Sequence, residues 1–194
     1  MPIIPKRNVR RCIVPSETSR LAAGYGWLVS EFHGSDGGSL PRARRGDMHA
    51  PLPDHLYRRW MRYGQSRDGS TFFPVLVGLI VEDVRTDYCR MRLPWRTEIT
   101  QPFGVAHGGA IATLIDSVIV PAIGSGYEDQ VGFATIDFTV QLMGALLDED
   151  AIAEGWVSQR GRSIAFCEAE VVGASSGDAI ARGLLTYRIQ GARK

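Results

Sequence analysis

The amino-acid sequence predicts an α+β fold in which one antiparallel sheet wraps a long central helix. Three observations lead there. The stretch Gln101 to Gly126, QPFGVAHGGAIATLIDSVIVPAIGSG, holds the longest apolar segment of the chain. A helix opening at Gly108-Gly109 and running toward Pro121 places Ile111, Leu114, Ile115, Val118 and Ile119 around most of its circumference. Two strand-like segments precede it and four follow it, all rich in β-branched and apolar residues. The last four are separated by breaks of hairpin length, Asp148-Glu149-Asp150, Arg160-Gly161-Arg162 and Gly173 to Asp178.

Taken in order, residues 1–47 read as a basic, disordered extension, with GSDGGS at Gly34 to Ser39 and RARR at Arg42 to Arg45. Only Leu21 to Phe32 has the pattern of a short helix or strand. Eight Lys/Arg stand against four Asp/Glu there, whereas residues 48–194 hold fourteen against seventeen, so the folded part is mildly acidic. Met48 is a candidate natural start. Residues 48–71 supply a linker and an amphipathic helix. From Pro53 to Arg67, Leu56, Tyr57, Trp60, Met61 and Tyr63 share one face, with Asp54 as N-cap and Gly64 as stop. This helix reads either as a lid over a ligand or as packing against the domain edge, and the second weighs more.

The main domain then spans residues 72–190. Phe73 to Asp83, where Val75, Val77, Leu79 and Val81 alternate, is a predicted strand and Thr86 to Pro94 its antiparallel neighbour. Arg85, Arg90 and Arg92 are then solvated strand charges. Pro121 removes one helical hydrogen bond and ends or bends the central helix. Ala134 to Leu142, Ala151 to Gln159, Ile164 to Val172 and Ile180 to Arg188 complete the sheet.

At 194 residues the chain is long enough for one domain with a substantial core, and a net charge of +1 gives no indication of nucleic acid. Cys12, Cys89 and Cys167 are too few and scattered for a disulfide framework or a thiolate metal site, which suits a reducing compartment, the cytoplasm. No apolar run reaches the length of a membrane span. His33, His49, His55 and His107 lack ligand-like spacing, so no metal is expected. Neither G-x-S-x-G nor a phosphate-binding glycine motif is present, and no cofactor is predicted.

One residue inside the apolar helix is charged. Burying an unpaired carboxylate costs several kcal/mol, and no basic residue stands between Ile99 and Gly126 to pair locally with Asp116. That makes Asp116 the first functional candidate. The glycines of His107-Gly108-Gly109 let a ligand approach the unpaired N–H groups of the first helical turn, an end suited to a phosphate, a carboxylate or a developing oxyanion. Gly108 and Asp116 are eight residues apart, about 12 Å at the helical rise, too far to act on one carbonyl carbon within one chain. If both act, two chains meet with their helices antiparallel.

The run HGGAIATLIDSV, with Asp116 nine positions after His107, resembles the central-helix signature of hotdog-fold acyl-CoA thioesterases of the phenylacetate-pathway (PaaI-like) branch. The resemblance extends from about Phe72 to Ile189 and includes GFATIDFTV at Gly132 to Val140 and RGRSIAFCEAEVV at Arg160 to Val172. It implies a hotdog fold and an acyl-CoA substrate. It also implies a homodimer with a shared active site, or a dimer of dimers.

By position, the resemblance also implies roles. The Gly108 N–H, assisted by the Gln101 side-chain amide, binds the thioester carbonyl oxygen. Asp116 of the facing subunit is the general base or, as the less favoured alternative, a direct nucleophile, and Thr135 holds the attacking water. His107 and Gly109 at the helix start, and the turn of Arg160, Gly161, Arg162 and Ser163 where relatives often contact coenzyme A, are the substrate-binding residues; the alternative readings are a structural His107 rather than a general base, a Gly109 that permits close helix packing and a merely solvated arginine pair. The family commonly has Asn where Gln101 stands; Gln keeps the donor and is one methylene longer. Two other readings of this fold are a non-catalytic acyl-CoA sensor, against which Asp116 argues, and a dehydratase or hydratase, which needs a His-containing acid/base pair. Ala110, Ala112, Val118 and Leu142 could line a pocket for either a fatty or an arylacetyl chain.

Overall fold

Among the described residues, six strands form a single antiparallel sheet in the order β1-β2-β4-β5-β6-β3, so the strand that follows the central helix in sequence lies at an edge. In this computed structural model residues 45–66 and 68–191 are described. The predicted extension up to residue 44, its Leu21 to Phe32 element and Cys12 lie outside them. The strands are β1 (Ile80–Arg85), β2 (Tyr88–Leu93), β3 (Gly132–Leu142), β4 (Ala151–Arg160), β5 (Ile164–Gly173) and β6 (Ala179–Gln190). The α-helices among the described residues are α1 (Asp54–Trp60), α2 (Phe73–Val77) and the central α3 (Gly108–Gly124).

The predicted helix in the sheet's concavity is α3. Ile111, Leu114, Ile115, Val118 and Ile119 are buried, joined by Ala122 and Ile123, against the inner faces of β2, β4 and β5. Each such side chain contributes about 1.5–3 kcal/mol. The approach is close because two strand positions have no side chain. A Cβ on Gly155 of β4 would stand 2.7 Å from Val118, and one on Gly183 of β6 would stand 2.5 Å from Ile115.

Four sequence expectations are corrected. Phe73 to Asp83 is not one strand: Pro74 in the first turn favours helix, and Gly78, at φ 80° in the left-handed region, stops it and lets β1 begin at Ile80. The helix expected over Pro53 to Arg67 is shorter, with Pro53 rather than Asp54 at the capping position, although Gly64 does take a left-handed conformation beyond it. Helix α3 runs through Pro121 to Gly124, because Pro121 costs one hydrogen bond while buried Ala122 and Ile123 continue the apolar packing. The Asp148 to Asp150 break is not a hairpin, since β3 pairs with β6 and β4 pairs with β2 and β5.

The strand arginines are also not simply solvated. On the outer face of the sheet Arg90 binds Glu82 and Glu154 at 2.9 Å each, Arg92 binds Glu82 and Asp150, and Arg85 binds Asp83. Residues just before Met48 lie on that face too. Arg45 stacks over the Trp156 ring at 3.5 Å and approaches Glu170, while Arg85 donates to the Gly46 carbonyl. Among the described residues, no helix is long and apolar enough to cross a membrane. Cys89 and Cys167 are buried free thiols; burial pushes Cys89 well above its usual range and Cys167 up to about 12, so both are inert.

Candidate active site

The predicted site residues fall into three groups along α3. At its N-terminus, His107 is the N-cap: its Nδ1 accepts the Gly109 N–H at 2.9 Å, so the imidazole is engaged locally as expected. Among the described residues no acceptor takes the Gly108 N–H, which leaves it available at the positive end of the helix. Gln101 sits in the loop that leads into the helix, and its Oε1 accepts the Phe103 N–H at 3.0 Å. The amide is thereby turned so that its NH2 group remains to donate. A Cβ at Gly108 would meet the tip of the Leu142 side chain of β3 at 2.7 Å, a contact that this exposed side chain can relieve by shifting.

The second group surrounds Asp116, which is half-buried rather than enclosed because edge strand β3 leaves its side of the helix open. Thr135 of β3 donates to Asp116 Oδ1 at 2.9 Å, and the Tyr187 hydroxyl of β6 reaches the same oxygen at 2.5 Å and the Asp116 carbonyl at 2.8 Å. Thr135 thus touches the carboxylate itself. Among the described residues no cation pairs with Asp116 and no donor reaches Oδ2. Burial first, and the adjacent Asp116 charge second, hold the Tyr187 phenol well above its ordinary range, so it stays protonated and donates. Tyr63, just after α1, hydrogen-bonds Ser117 and lies close enough to feel the Asp116 charge.

Tyr187 and Tyr63 were missed in the sequence. A usable signal existed for the first: Leu185, Tyr187 and Ile189 alternate on the inner face of β6, and a core-facing Tyr needs a partner for its hydroxyl. Helix α1 packs on the edge of the domain: Trp60 contacts Gly124 and lies 6.4 Å from the Phe133 ring, while Arg59 donates to the Glu128 carbonyl.

The third group divides. Arg160 ends β4 at the β4–β5 hairpin and is half-buried rather than exposed. Its guanidinium pairs with Asp87, donates to the Ile123 carbonyl at 3.0 Å and stacks over Tyr127, fastening the end of β4 to the C-terminus of α3. Gly161, Arg162 and Ser163 form the exposed turn that follows. Within one chain, then, the Gly108 end and the Asp116 cluster remain apart, separated by two helical turns, and Arg160 serves the fold.

Comparison with known proteins bears on this arrangement. Residues 103–180 match the family model described as the thioesterase superfamily. The fold is the hotdog fold, and over these residues the sequence is similar to that of hotdog thioesterases. Human acyl-coenzyme A thioesterase 13 is 29% identical to this chain over 102 residues, 52% of this chain and 71% of the relative. The solved structure of zebrafish thioesterase superfamily member 2 superposes with a TM-score of 0.60 at 24% identity, covering 73% of this chain and 100% of that one. The E. coli PaaI protein from the phenylacetic acid degradation operon superposes with a TM-score of 0.56 at 14% identity, covering 60% and 83%. Together these matches indicate a thioester hydrolase.

Proposed function

We propose that the protein hydrolyses acyl-CoA thioesters, with Asp116 as general base and the Gly108 N–H, assisted by the Gln101 amide, polarising the thioester carbonyl. The observation that carries this reading is the state of Asp116: a mid-helix carboxylate held at Oδ1 by two hydroxyls, with no counter-cation and no donor at Oδ2 among the described residues. In the step, a water gives its proton to Asp116 while its oxygen bonds to the thioester carbon. The charge that develops on the carbonyl oxygen is met by the Gly108 N–H at the helix start. The intermediate collapses with cleavage of the C–S bond, the electron pair leaving on coenzyme A sulfur, and the proton held by Asp116 returns to solvent or to that thiolate. A thiolate leaves with little help, so no nucleophilic serine is required.

Because Gly108 and Asp116 are about 12 Å apart along one helix, the site is assembled from two copies. Strand β3 supports this: it is an edge strand, exposed along nearly its whole length, with Ile136, Phe138 and Leu142 uncovered. A second copy pairing along β3 would cover them and lay the two α3 helices antiparallel, setting the glycine end of one beside the carboxylate of the other. Gly161, Arg162 and Ser163, exposed at the β4–β5 turn, are the residues assigned to coenzyme A.

Thiol release from acetyl-, octanoyl-, palmitoyl- and phenylacetyl-CoA tests the reading. The parent is expected to hydrolyse at least one of them, and Asp116→Asn to lose that rate by a factor of about 10² or more with KM little changed. Binding of all four without turnover would replace catalysis with acyl-CoA sensing.

A further inference from the structure

We infer that Tyr187 is the positioning residue of this site: with Thr135 it locks Asp116 Oδ1, so that Oδ2 is the atom that takes the proton from water. The inference rests on the reading of Asp116 as base. It starts from strand register. Thr135 of β3 stands directly opposite Tyr187 of β6, which stands opposite Ala165 of β5, so all three lie in one cross-strand row of the inner face beneath the middle of α3. Two neighbouring strands thereby aim one hydroxyl each at the same carboxylate oxygen, at 2.9 Å and 2.5 Å.

The Tyr187 ring is 1% exposed and packs within the main core. Phenylalanine would fill the same volume, so packing does not account for the hydroxyl; its bond to Asp116 does. A tyrosine has one proton to give, and the shorter contact, to Oδ1 rather than to the backbone carbonyl, takes it. With both donors in place, the carboxylate cannot turn about its terminal bond without breaking two hydrogen bonds. Oδ2 then holds a fixed direction on the side left open by β3. Among the described residues Tyr63 is a further titratable group that faces this cluster, and it is tied to Ser117. A Lys or Arg in place of these hydroxyls would fix the carboxylate in an ion pair; neutral donors orient it while leaving one oxygen as an acceptor.

The test is a cycle on the full chain: the parent, Tyr187→Phe, Asp116→Asn and the double variant, assayed with the best substrate of the four-member acyl-CoA panel and checked for folding by circular dichroism. Tyr187→Phe is expected to lower kcat by about tenfold to a hundredfold with KM nearly unchanged. In the Asp116→Asn background the same change is expected to have no further effect, because a positioning residue acts only through the group it positions. Retention of the parental kcat by Tyr187→Phe overturns the inference, as does an equal loss in both backgrounds, the mark of a packing role. Should Tyr187→Phe not fold, Thr135→Val, at the exposed edge of the sheet, enters the same cycle with the same expectation and the same overturning results. If Asp116→Asn keeps the parental rate, the base reading fails and the positioning role with it. If Asp116→Asn is impaired and Tyr187→Phe is not, only the positioning role fails.

Discussion

Two arginines two residues apart, Arg160 and Arg162, are alike in sequence and opposite in the fold. Arg160 turns inward because the β4–β5 ladder carries a register shift between Val157 and Gln159. The extra residue reverses the alternation, so Arg160 pairs with buried Ala165 and its guanidinium reaches the last carbonyls of α3. Arg162, beyond the strand end, is exposed. Arg160→Met is therefore expected to reduce unfolding free energy by about 1–3 kcal/mol, whereas Arg162→Ala stays within about 0.5 kcal/mol of the parent. Denaturant titration of both decides this; equal stabilities would place Arg160 among the surface charges after all. The same kind of shift between Thr135 and Asp137 in β3 keeps Thr135 and Phe138 both on the inner face, which is how a threonine of an exposed strand comes to touch Asp116.

The elements that frame the helix include one outside the domain boundary expected from sequence. The segment before α1 crosses the outer face of the sheet: His49 stacks on Tyr88 at 5.2 Å between ring centres, a Cβ on Gly46 would crowd the same ring, and Arg45 covers Trp156. Met48 itself is exposed. A chain beginning at Met48 keeps the His49 stack and loses Arg45, Gly46 and Asp47, together with their contacts to Glu170 and Arg85. A cation–π contact and these exposed or half-exposed pairs sum to about 1 kcal/mol. The shortened chain should therefore unfold about 2–4 °C below the full one by differential scanning calorimetry. Coincident transitions would mean that the strap contributes nothing to the domain.

For the whole molecule, the edge strand sets the question. A sheet of this size with one long edge uncovered, carrying Phe138 at 45% and Leu142 at 57% exposure, offers an apolar row and unpaired backbone groups to another chain. Charge placed there opposes that pairing. Phe138→Lys is expected to give a monomer by light scattering coupled to size exclusion and to lose at least about 10² in kcat/KM, because no partner would bring Gly108 to Asp116. A monomer with parental activity would refute the shared site, and an unchanged oligomer would move the interface elsewhere.

Much of this was legible in the residues. Apolar periodicity marked the last four strands to within about two residues and the central helix to within about three, because burial on one sheet face or around a helix imposes a local period that the chain must repeat. The charge of Asp116 within that periodicity, and the glycines eight and seven residues before it, marked both ends of the proposed site for the same local reason. What only the tertiary structure decided depends on neighbours far apart in sequence. Proline and glycine at 74 and 78 outweighed an alternating pattern and made α2 of what read as strand. Register shifts, which leave no trace in composition, turned Arg160 inward. The pairing of β3 with β6 rather than β4 joined Thr135 and Tyr187 at Asp116, a meeting of residues 19 and 71 positions from the carboxylate that no local pattern encodes.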